Sequence, residues 1–247
     1  KLLGSDYIAT GHYARIRHGS SYPSLLKSRD LNKDQTYFLQ DVAKEKLNKC
    51  LFPLGDLLKG EVREIAQSQG FENSRKKDST GICFIGERRF DTFIKNYLSD
   101  TPGKVVDTAG RILGTHQGLH FYTIGQRKGI KIGGLKNRLE APWYVVDKEI
   151  DTNTLIISQK ETDLIHNWLR VSGINWMEDQ DLPIKCQAKI RYRQPDQKCR
   201  IVKGVNRELL VTFDRPQRAV TKGQYAAFYS GDTLLGGGQI VARGTRR

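Results

Sequence analysis

From Gly103 onward, the sequence consists of short runs rich in apolar and β-branched residues, separated by Gly, Asn and Asp. The runs Trp143–Lys148 and Leu155–Ser158 lie on either side of Asp151–Asn153, a spacing that predicts a β-hairpin. Further strands are predicted at Ile184–Tyr192, Glu208–Phe213, Ala226–Tyr229 and Gln239–Ala242. Several short strands with frequent turns are typical of small β-barrels.

The N-terminal part of the chain has a mixed α and β pattern. Tyr7–Ala9 predicts a buried strand, and Gly11 follows it at a position where α/β folds commonly bind ligands. The polar stretch Arg29–Thr36 predicts a loop that enters a helix at Tyr37. Apolar residues at helical spacing predict two longer helices, one stopped by Gly70 and one ending before Pro102: Leu58, Val62, Ile65 and Ala66 in the first, and Phe90, Phe93, Ile94, Tyr97 and Leu98 in the second. We therefore expect an α/β region followed by a β region.

The composition of the 247 residues fits a folded chain, because 38% are apolar and 28% are charged. The sequence contains neither an apolar run of the roughly 18 residues that a membrane span needs nor the pattern of a signal peptide. The cytosol is therefore the expected compartment. Lys and Arg number 41 against 27 Asp and Glu, and the formal charge of +14 indicates a polyanionic partner.

Basic residues alternate with aromatic residues and glutamines in two segments, Tyr122–Gly129 and Lys189–Gln194. If the second segment is a strand, Lys189, Arg191 and Arg193 share one face and can follow phosphates while aromatic rings stack on bases. The alternative is a strand face that is only solvated, and charge alone does not distinguish nucleic acid from anionic lipid. The combination with a net charge of +14 favours nucleic acid.

The chain has four cysteines, with no C-x-x-C pair and no spacing typical of a zinc site. Cys50 lies in a predicted helix and Cys186 in a predicted strand, and both are predicted to be small buried residues. Cys199 lies within a basic run, which leaves two interpretations, a mildly activated surface thiol or an ordinary strand residue.

Cys83 lies in a polar, glycine-containing segment, Lys76–Phe90, that carries cations on both sides of the cysteine. Cations stabilise a thiolate, and glycines allow the backbone to move or to approach a ligand closely. These features are typical of a reactive cysteine in a mobile loop. The alternative is a buried cysteine in a short strand, between Ile82 and Phe84, and the residues alone do not decide between the two.

Several of these segments together resemble the bacterial tRNA-specific 2-thiouridylases, the family that thiolates the wobble uridine of tRNA. The resemblance extends over nearly the whole chain. It rests on motifs that occur in the order found in the family: Asp6–Tyr13, Lys33–Gln35, Lys77–Gly86, Thr123–Arg127, Pro142–Asp147 and Arg191–Gln194. The Asp78–Thr80 form of the cysteine segment is similar to bacterial rather than mitochondrial members.

The resemblance implies a reaction in which ATP, together with Mg²⁺, adenylates the C2 oxygen of the uridine and a cysteine persulfide delivers sulfur to C2. Cys83 matches the residue that carries the persulfide, and Gly11 matches a position whose backbone approaches ATP. The tRNA contacts of the family match His12, Lys33, Asp34, Gln35, Arg191, Tyr192 and Gln224. The implied partners are tRNA and a sulfur donor, either a sulfur-relay protein or a cysteine desulfurase, with no membrane.

Three domains are expected. Residues 1–90 would be the C-terminal part of a Rossmann-like PP-loop nucleotide-binding domain with the persulfide cysteine, residues 91–165 a small β-rich central domain, and residues 166–247 a C-terminal β-barrel that binds tRNA. The family opens with a Ser-Gly-Gly-x-Asp-Ser phosphate-binding loop, followed by an aspartate and a second cysteine, and no such loop occurs in this sequence. Because Met177 is the only methionine, we expect this chain to be a fragment that does not adenylate tRNA by itself.

Two other functions are consistent with parts of the sequence. A non-catalytic tRNA-binding module would use the basic barrel, with Cys83 as a structural residue. Another ATP-pyrophosphatase that acts on a small molecule would need no basic barrel. Salt-sensitive tRNA binding with an unreactive Cys83 would favour the first alternative, and failure to bind tRNA at low salt would favour the second.

Overall fold

The computed structural model describes residues 4–19, 22–75, 93, 96–130, 132 and 141–245, which belong to two compact units. The first unit comprises Lys1–Lys76, Asn167–Pro216 and Thr221–Arg247, and the second comprises Lys77–His166 and Gln217–Val220. Cys83 and most of the helix predicted from Phe90 to Leu98 lie outside the described residues. The domain division predicted at residues 90 and 165 remains a prediction.

The N-terminal part of the first unit combines short strands and helices. Its elements are β1 (Ile8–Ala9), β2 (Ala14–Arg17), β3 (Ser24–Lys27), α1 (Thr36–Leu39), α2 (Lys44–Leu47), β4 (Cys50–Leu51) and α3 (Lys59–Ser68), followed by a 3₁₀ turn at Glu72–Arg75. Strand β1 pairs in parallel with β4, and β2 pairs with β3 in antiparallel orientation. Helix α3 confirms the amphipathic helix predicted from the apolar spacing, and Gly70 follows its end with a φ of +73°.

The second unit is built on a four-stranded sheet. Its strands are β5 (Gly103–Asp107), β6 (Ile112–His116), β7 (Tyr144–Glu149) and β8 (Thr154–Ser158), in the order β6-β5-β8-β7. Strands β7 and β8 form the predicted antiparallel hairpin, with Asn153 in the left-handed conformation that asparagine tolerates in turns. Val105, Leu155 and Ile157 are fully buried in the core of this unit. Short 3₁₀ turns lie at Leu119–Phe121 and Glu161–Leu164.

Six further strands, most of whose residues belong to the first unit, form a closed barrel. Its strands are β9 (Ile165–Trp176), β10 (Ile184–Lys189), β11 (Gln197–Lys203), β12 (Leu209–Arg218), β13 (Tyr225–Ser230) and β14 (Thr233–Gly244). The order around the barrel is β9, β12, β11, β10, β13 and β14, and the pairing of β14 with β9 closes it. Strand β14 also pairs with β3 through Thr233 and Leu26, which joins the β2–β3 hairpin to the barrel.

The strand predicted from Ile184 to Tyr192 is shorter than expected. It ends at Lys189, and the chain then turns, with the backbone N–H of Ile190 donating to the Gln194 side chain at 3.0 Å. Lys189, Arg191 and Arg193 therefore do not share one strand face, and that prediction was wrong. Lys189 is buried, whereas both arginines are exposed. The hydrogen bond between the Ile190 backbone and the Gln194 side chain takes the place of a hydrogen bond to a neighbouring strand at this position.

Two further predictions in the N-terminal part were wrong. Cys50 lies in β4 and not in a helix, because α2 ends at Leu47 and the chain then pairs with β1. The strand predicted as buried at Tyr7–Ala9 is exposed, with Ile8 at 64%. Within the described structure β1 pairs with β4 alone, so this two-stranded sheet has little around it to cover its side chains.

Candidate nucleic-acid interface

The Asp34 loop, residues 28–35, connects β3 to α1 and is held by its own aspartates. The Asp34 side chain is buried, and its Oδ1 accepts hydrogen bonds from the Ser28 backbone N–H at 3.2 Å and the Thr36 hydroxyl at 3.0 Å. Asp30 accepts a hydrogen bond at 3.1 Å from the backbone N–H of Lys59, the first residue of α3. Two carboxylates thus connect the loop to both of its neighbouring helices.

Four charged residues, Lys27, Asp34, Lys189 and Asp196, form a buried charge cluster. Lys189 Nζ lies 3.3 Å from Asp34 Oδ2 and 3.9 Å from Asp196 Oδ1, and Lys27 Nζ donates a hydrogen bond to Asp196. The side chain of Asp34 is 1% exposed, and those of Lys27 and Lys189 are 5% and 9% exposed. Both ammonium groups lie over the ring of Tyr229, at 4.6 and 5.4 Å from its centroid. The side chain of Asp196 is 29% exposed. Two positive and two negative charges therefore compensate one another, and three of the four side chains are largely removed from water.

Two buried tyrosines add neutral hydroxyl groups to the same core. Burial raises the pKa of Tyr229, whose hydroxyl lies 3.2 Å from that of Thr36. Burial also raises the pKa of Tyr37 to about 12, and its hydroxyl donates to the Tyr225 carbonyl at 3.0 Å. Both phenols therefore stay protonated at neutral pH and act as hydrogen-bonding groups without charge.

Gln35 joins the Asp34 loop to the segment that contains Gly11 and His12. Its backbone N–H donates to the carbonyl of Tyr13 at 2.8 Å, and its side-chain Oε1 accepts from the backbone N–H of Tyr13 at 2.9 Å. His12 is half-buried. Gly11 is exposed, and in the described structure a Cβ added there would meet Leu54 alone, at 3.9 Å. The backbone of Gly11 is therefore accessible to a ligand.

The Tyr192 loop, residues 190–196, connects β10 to β11 and contacts the Asp34 loop. The Tyr192 hydroxyl donates to the Lys33 carbonyl at 3.3 Å, and the Tyr192 ring centroid lies 4.6 Å from that of Phe38. Arg191 is exposed at the start of the turn. The structure therefore brings together two segments that separate sequence motifs had indicated.

An open cavity of about 580 Å³ lies between these two loops. The buried charge cluster forms part of its lining, and the rest comes from the Asp34 loop (Leu31, Asn32 and Lys33) and the Tyr192 loop (Tyr192, Arg193, Gln194 and Pro195). Cavities of this size are typical of sites for small organic groups. The exposed Arg193 can face a phosphate, and the aromatic ring of Tyr192 can contact a base.

Of the nine predicted site residues, Lys33, Asp34 and Tyr192 line this cavity. The described residues that do not line it are Gly11, His12, Gln35, Arg191 and Gln224. Gln224 precedes β13 with its side chain exposed, and its backbone carbonyl accepts a hydrogen bond from Ile240 at 2.7 Å. It does not line the cavity in the part of the chain that the structure describes. Cys83 lies outside the described residues.

Three residues of the site, Lys27, Asp196 and Tyr229, were not indicated by any sequence motif. Strand alternation offers one signal, because Leu25 and Lys27 are the two buried residues of β3 and lie on the same face. A lysine at a buried strand position requires an acidic partner. The partner is not evident from the sequence, because Asp196 is 169 residues away.

Three cysteines lie within the described structure. Cys186 and Cys199 are buried and opposite each other on β10 and β11, which confirms Cys186 as a buried residue and Cys199 as an ordinary strand residue. Cys50 is half-buried, and its thiol lies 3.4 Å from the carbonyl of Lys46.

Neither a metal-binding group of side chains nor a membrane-spanning helix is found among the described residues. No group of three or more His, Cys, Asp or Glu side chains among them is arranged to hold a metal ion. No helix in the described parts of the chain has both the length and the apolar character required to cross a membrane.

Three family models match successive parts of the chain. The model for the tRNA methyl transferase HUP domain matches residues 1–87, and that for the tRNA methyl transferase PRC-barrel domain matches residues 91–159. The model for the aminomethyltransferase beta-barrel domain matches residues 166–240. Together with the six-stranded barrel, these matches confirm the predicted fold class, an α/β region of the HUP type followed by β-rich and β-barrel regions.

Curated relatives match nearly the whole chain. A tRNA-specific 2-thiouridylase MnmA from Alcanivorax borkumensis is 51% identical over 243 residues, covering 96% of this chain and 66% of the relative. The protein of the same name from Legionella pneumophila strain Philadelphia 1 is 48% identical over 242 residues, covering 96% and 67%. That from Pseudomonas fluorescens strain SBW25 is 51% identical over 243 residues, covering 97% and 65%. The chain thus spans about two thirds of the length of these relatives.

Proposed function

This chain belongs to the tRNA-specific 2-thiouridylase MnmA family, and we propose from this membership that it acts in the thiolation of tRNA. The proposed reaction replaces the C2 oxygen of the wobble uridine with sulfur and consumes ATP, giving 2-thiouridine, AMP and pyrophosphate. It would take place in the cytoplasm, where tRNA is available.

The cavity between the Asp34 loop and the Tyr192 loop is the observation that supports tRNA as the substrate. Lys33 and Arg193 line it with cations, and the Tyr192 ring adds an aromatic surface. Cations beside an aromatic ring suit an RNA nucleotide, because phosphates attract the cations and bases stack on rings. A net charge of +14 favours the same class of ligand. The tRNA contacts proposed from the family motifs are His12, Lys33, Asp34, Gln35, Arg191, Tyr192 and Gln224.

Cys83 is the proposed sulfur carrier, on the basis of the family motif Lys77–Gly86. In the proposed step the terminal sulfur of a Cys83 persulfide attacks C2, and AMP leaves with the former C2 oxygen. A second thiol then attacks the Cys83 sulfur, which forms a disulfide and leaves the terminal sulfur on the uridine. Two thiol equivalents then reduce the disulfide through a mixed disulfide and are themselves oxidised to a disulfide. A sulfur-relay protein or a cysteine desulfurase would transfer the next sulfur atom to Cys83 from its own persulfide.

ATP supplies the leaving group, because adenylation converts the C2 oxygen into part of AMP. Gly11 is the proposed contact with ATP, and its exposed backbone is compatible with a close approach of the nucleotide. Mg²⁺ would accompany the phosphates. The two hydrogen bonds between Gln35 and Tyr13 connect the Gly11 segment to the Asp34 loop, so the proposed ATP and tRNA contacts belong to one connected part of the chain.

The test is to replace Cys83 by Ser at the gene's own locus and to quantify 2-thiouridine in bulk tRNA by nucleoside mass spectrometry. Cys50→Ser is the matched control, because Cys50 is half-buried and does not line the cavity in the described structure. We expect Cys83→Ser to abolish the thiolated nucleoside while the protein keeps its abundance and its affinity for tRNA. Cys50→Ser should leave the nucleoside at the parental level.

The same experiment separates the alternatives. If 2-thiouridine persists in the Cys83→Ser strain and the protein still binds tRNA, the chain is a tRNA-binding module without sulfur chemistry at Cys83. If the parent protein fails to bind tRNA even at low salt, a small-molecule substrate replaces tRNA in the proposal.

A further inference from the structure

The Asp34 side chain lies in the wall of the cavity but is only 1% exposed, and its carboxylate is already hydrogen-bonded within the protein. We propose that Asp34 is a positioning residue, which pairs with Lys189 to hold the Asp34 loop against the barrel so that Lys33 and Tyr192 line one tRNA-binding cavity. The inference rests on the proposed function. It reassigns a residue that the family motif had indicated as a direct tRNA contact.

The hydrogen bonds of Asp34 are already made within the protein. Oδ1 accepts from Ser28 and Thr36, and Oδ2 accepts from the Thr36 hydroxyl at 2.9 Å and from Lys189 at 3.3 Å. The side chain is 1% exposed. A carboxylate would also repel the phosphates of tRNA if it faced them directly. Its contacts therefore serve the loop and the barrel.

The charges of the cluster balance only while Asp34 and Lys189 are both present or both absent. Lys27 and Lys189 contribute two positive charges, and Asp34 and Asp196 contribute two negative charges. Replacing Asp34 by Asn leaves one positive charge without compensation in a place that water barely reaches. Removing one partner of a buried pair is far more damaging than removing both, because the remaining charge keeps its desolvation cost.

The pair also links distant parts of the chain. Asp34 and Lys189 are 155 residues apart, and the next residue, Gln35, makes the two hydrogen bonds to Tyr13 beside His12. The Tyr192 loop follows Lys189 directly at the end of β10. A shift of Asp34 would therefore move Lys33 and Gln35 on one side and alter the Tyr192–Lys33 contact on the other.

A double-mutant cycle on the protein as its gene encodes it tests the proposal. The cycle compares the parent with three variants, Asp34→Asn, Lys189→Gln and the combined variant. The melting temperature of each protein is measured without tRNA. The Kd of each protein for an unmodified tRNA transcript is measured at a temperature well below every melting temperature. We expect each single variant to melt about 5 °C or more below the parent and to bind tRNA about tenfold more weakly. The combined variant should recover most of both losses, with a Kd within about threefold of the parent.

Arg193→Ala is the matched control, because Arg193 lines the same cavity and is exposed. It should weaken tRNA binding without changing the melting temperature. If Asp34→Asn behaves like Arg193→Ala, and the combined variant shows the sum of both losses, Asp34 is a direct tRNA contact and the proposal fails. If the cycle changes melting temperatures alone and leaves every Kd unchanged, the pair is only structural and the proposal also fails.

Two further outcomes are decisive. If a single variant does not fold, the combined variant decides, since its recovery of folding and of tRNA affinity requires the two charges to act as a pair. The melting cycle is measured without tRNA and so tests the pair even if tRNA is not the substrate. If the parent does not bind tRNA, the proposed function fails, and the proposed role of Asp34 in tRNA binding fails with it. Recovery of the melting temperature in the combined variant would still show that Asp34 and Lys189 act as a charge pair.

Discussion

At the scale of single residues, the cysteines differ in whether they can react. Cys186 and Cys199 lie opposite each other across β10 and β11, with their sulfur atoms 3.7 Å apart. The hydrogen bond with Cys186 and the burial of the Cys199 side chain raise the pKa of Cys199. The reactive form of a cysteine is the thiolate, so a raised pKa makes a thiol less reactive at neutral pH. Both residues are buried in the barrel core, and a buried thiol is poorly placed to carry sulfur to a substrate.

A thiol-labelling experiment checks this assignment. In a Cys50→Ser/Cys83→Ser variant of the 247-residue chain, Cys186 and Cys199 remain. Both should react with Ellman's reagent at least about 100-fold more slowly in the folded protein than in guanidinium chloride. The labelling rate in the folded protein should stay low as the pH rises past about 8.5, the pKa of an ordinary thiol, because the pKa of Cys199 is raised above that value. Equal rates in the folded and unfolded protein would contradict the buried, hydrogen-bonded arrangement.

At the scale of elements, the glycine run of β14 allows the N-terminal segment to approach the barrel. Gly237 lies where a Cβ would press against the Gln40 side chain and come within 2.6 Å of the Ala226 carbonyl oxygen. The side chain of Asn175, on β9, donates to the carbonyl oxygen of Gln40 at 2.8 Å. The missing side chain at Gly237 therefore leaves space for Gln40 against the barrel wall.

Replacing Gly237 by Ala should therefore destabilise the protein. We expect the free energy of unfolding to fall by about 1 to 3 kcal/mol, because the added carbon would press on the Gln40 side chain and on the Ala226 carbonyl oxygen, a backbone atom that cannot move aside easily. Gly60→Ala is the matched control, since nothing lies within 4 Å of the added carbon in the described structure and the residue is part of α3. It should raise stability slightly, by up to about 1 kcal/mol. Urea unfolding of both variants makes the comparison, and equal effects would refute the packing argument.

The same elements explain how far the sequence predicts the structure. The hairpin of β7 and β8 and helix α3 follow from local patterns, because turn residues and apolar spacing act over a few positions. Cys50 was assigned to a helix because its neighbours are apolar, but the pairing of β4 with Ile8, far away in sequence, determined its conformation. Local preference is often overridden by such tertiary pairing.

The candidate site was predictable in its parts and not in its assembly. Motifs indicated Lys33–Gln35 and Arg191–Gln194 separately, and the structure places both beside one cavity. The burial of Lys27 and Lys189 was not predictable, because long-range partners decide whether a lysine is solvated or paired. Lys189 was expected on a phosphate-facing strand surface, whereas it neutralises Asp34 in the interior.

At the scale of the whole molecule, cations that interact with a polyanion must be distinguished from cations that hold the fold together. The formal charge of +14 counts Lys27 and Lys189 equally with exposed arginines. These two lysines are compensated by Asp34 and Asp196 and are barely accessible, so they contribute little to binding a distant phosphate. Arg191 and Arg193, exposed on the Tyr192 loop, can instead approach a phosphate directly.

The salt dependence of tRNA binding should make this distinction measurable. Each phosphate contact releases counterions, so the logarithm of the binding constant falls linearly with the logarithm of salt concentration, by about 0.7 to 0.9 per contact. Arg193→Ala should reduce this slope by about one and weaken binding for all tRNA sequences alike. The combined Asp34→Asn/Lys189→Gln variant should keep the parental slope, because neither side chain faces solvent. An unchanged slope in Arg193→Ala would mean that Arg193 does not contact phosphate. A reduced slope in the combined variant would mean that Lys189 contacts phosphate. Titrations across a range of salt concentrations therefore assign each cation to tRNA binding or to folding.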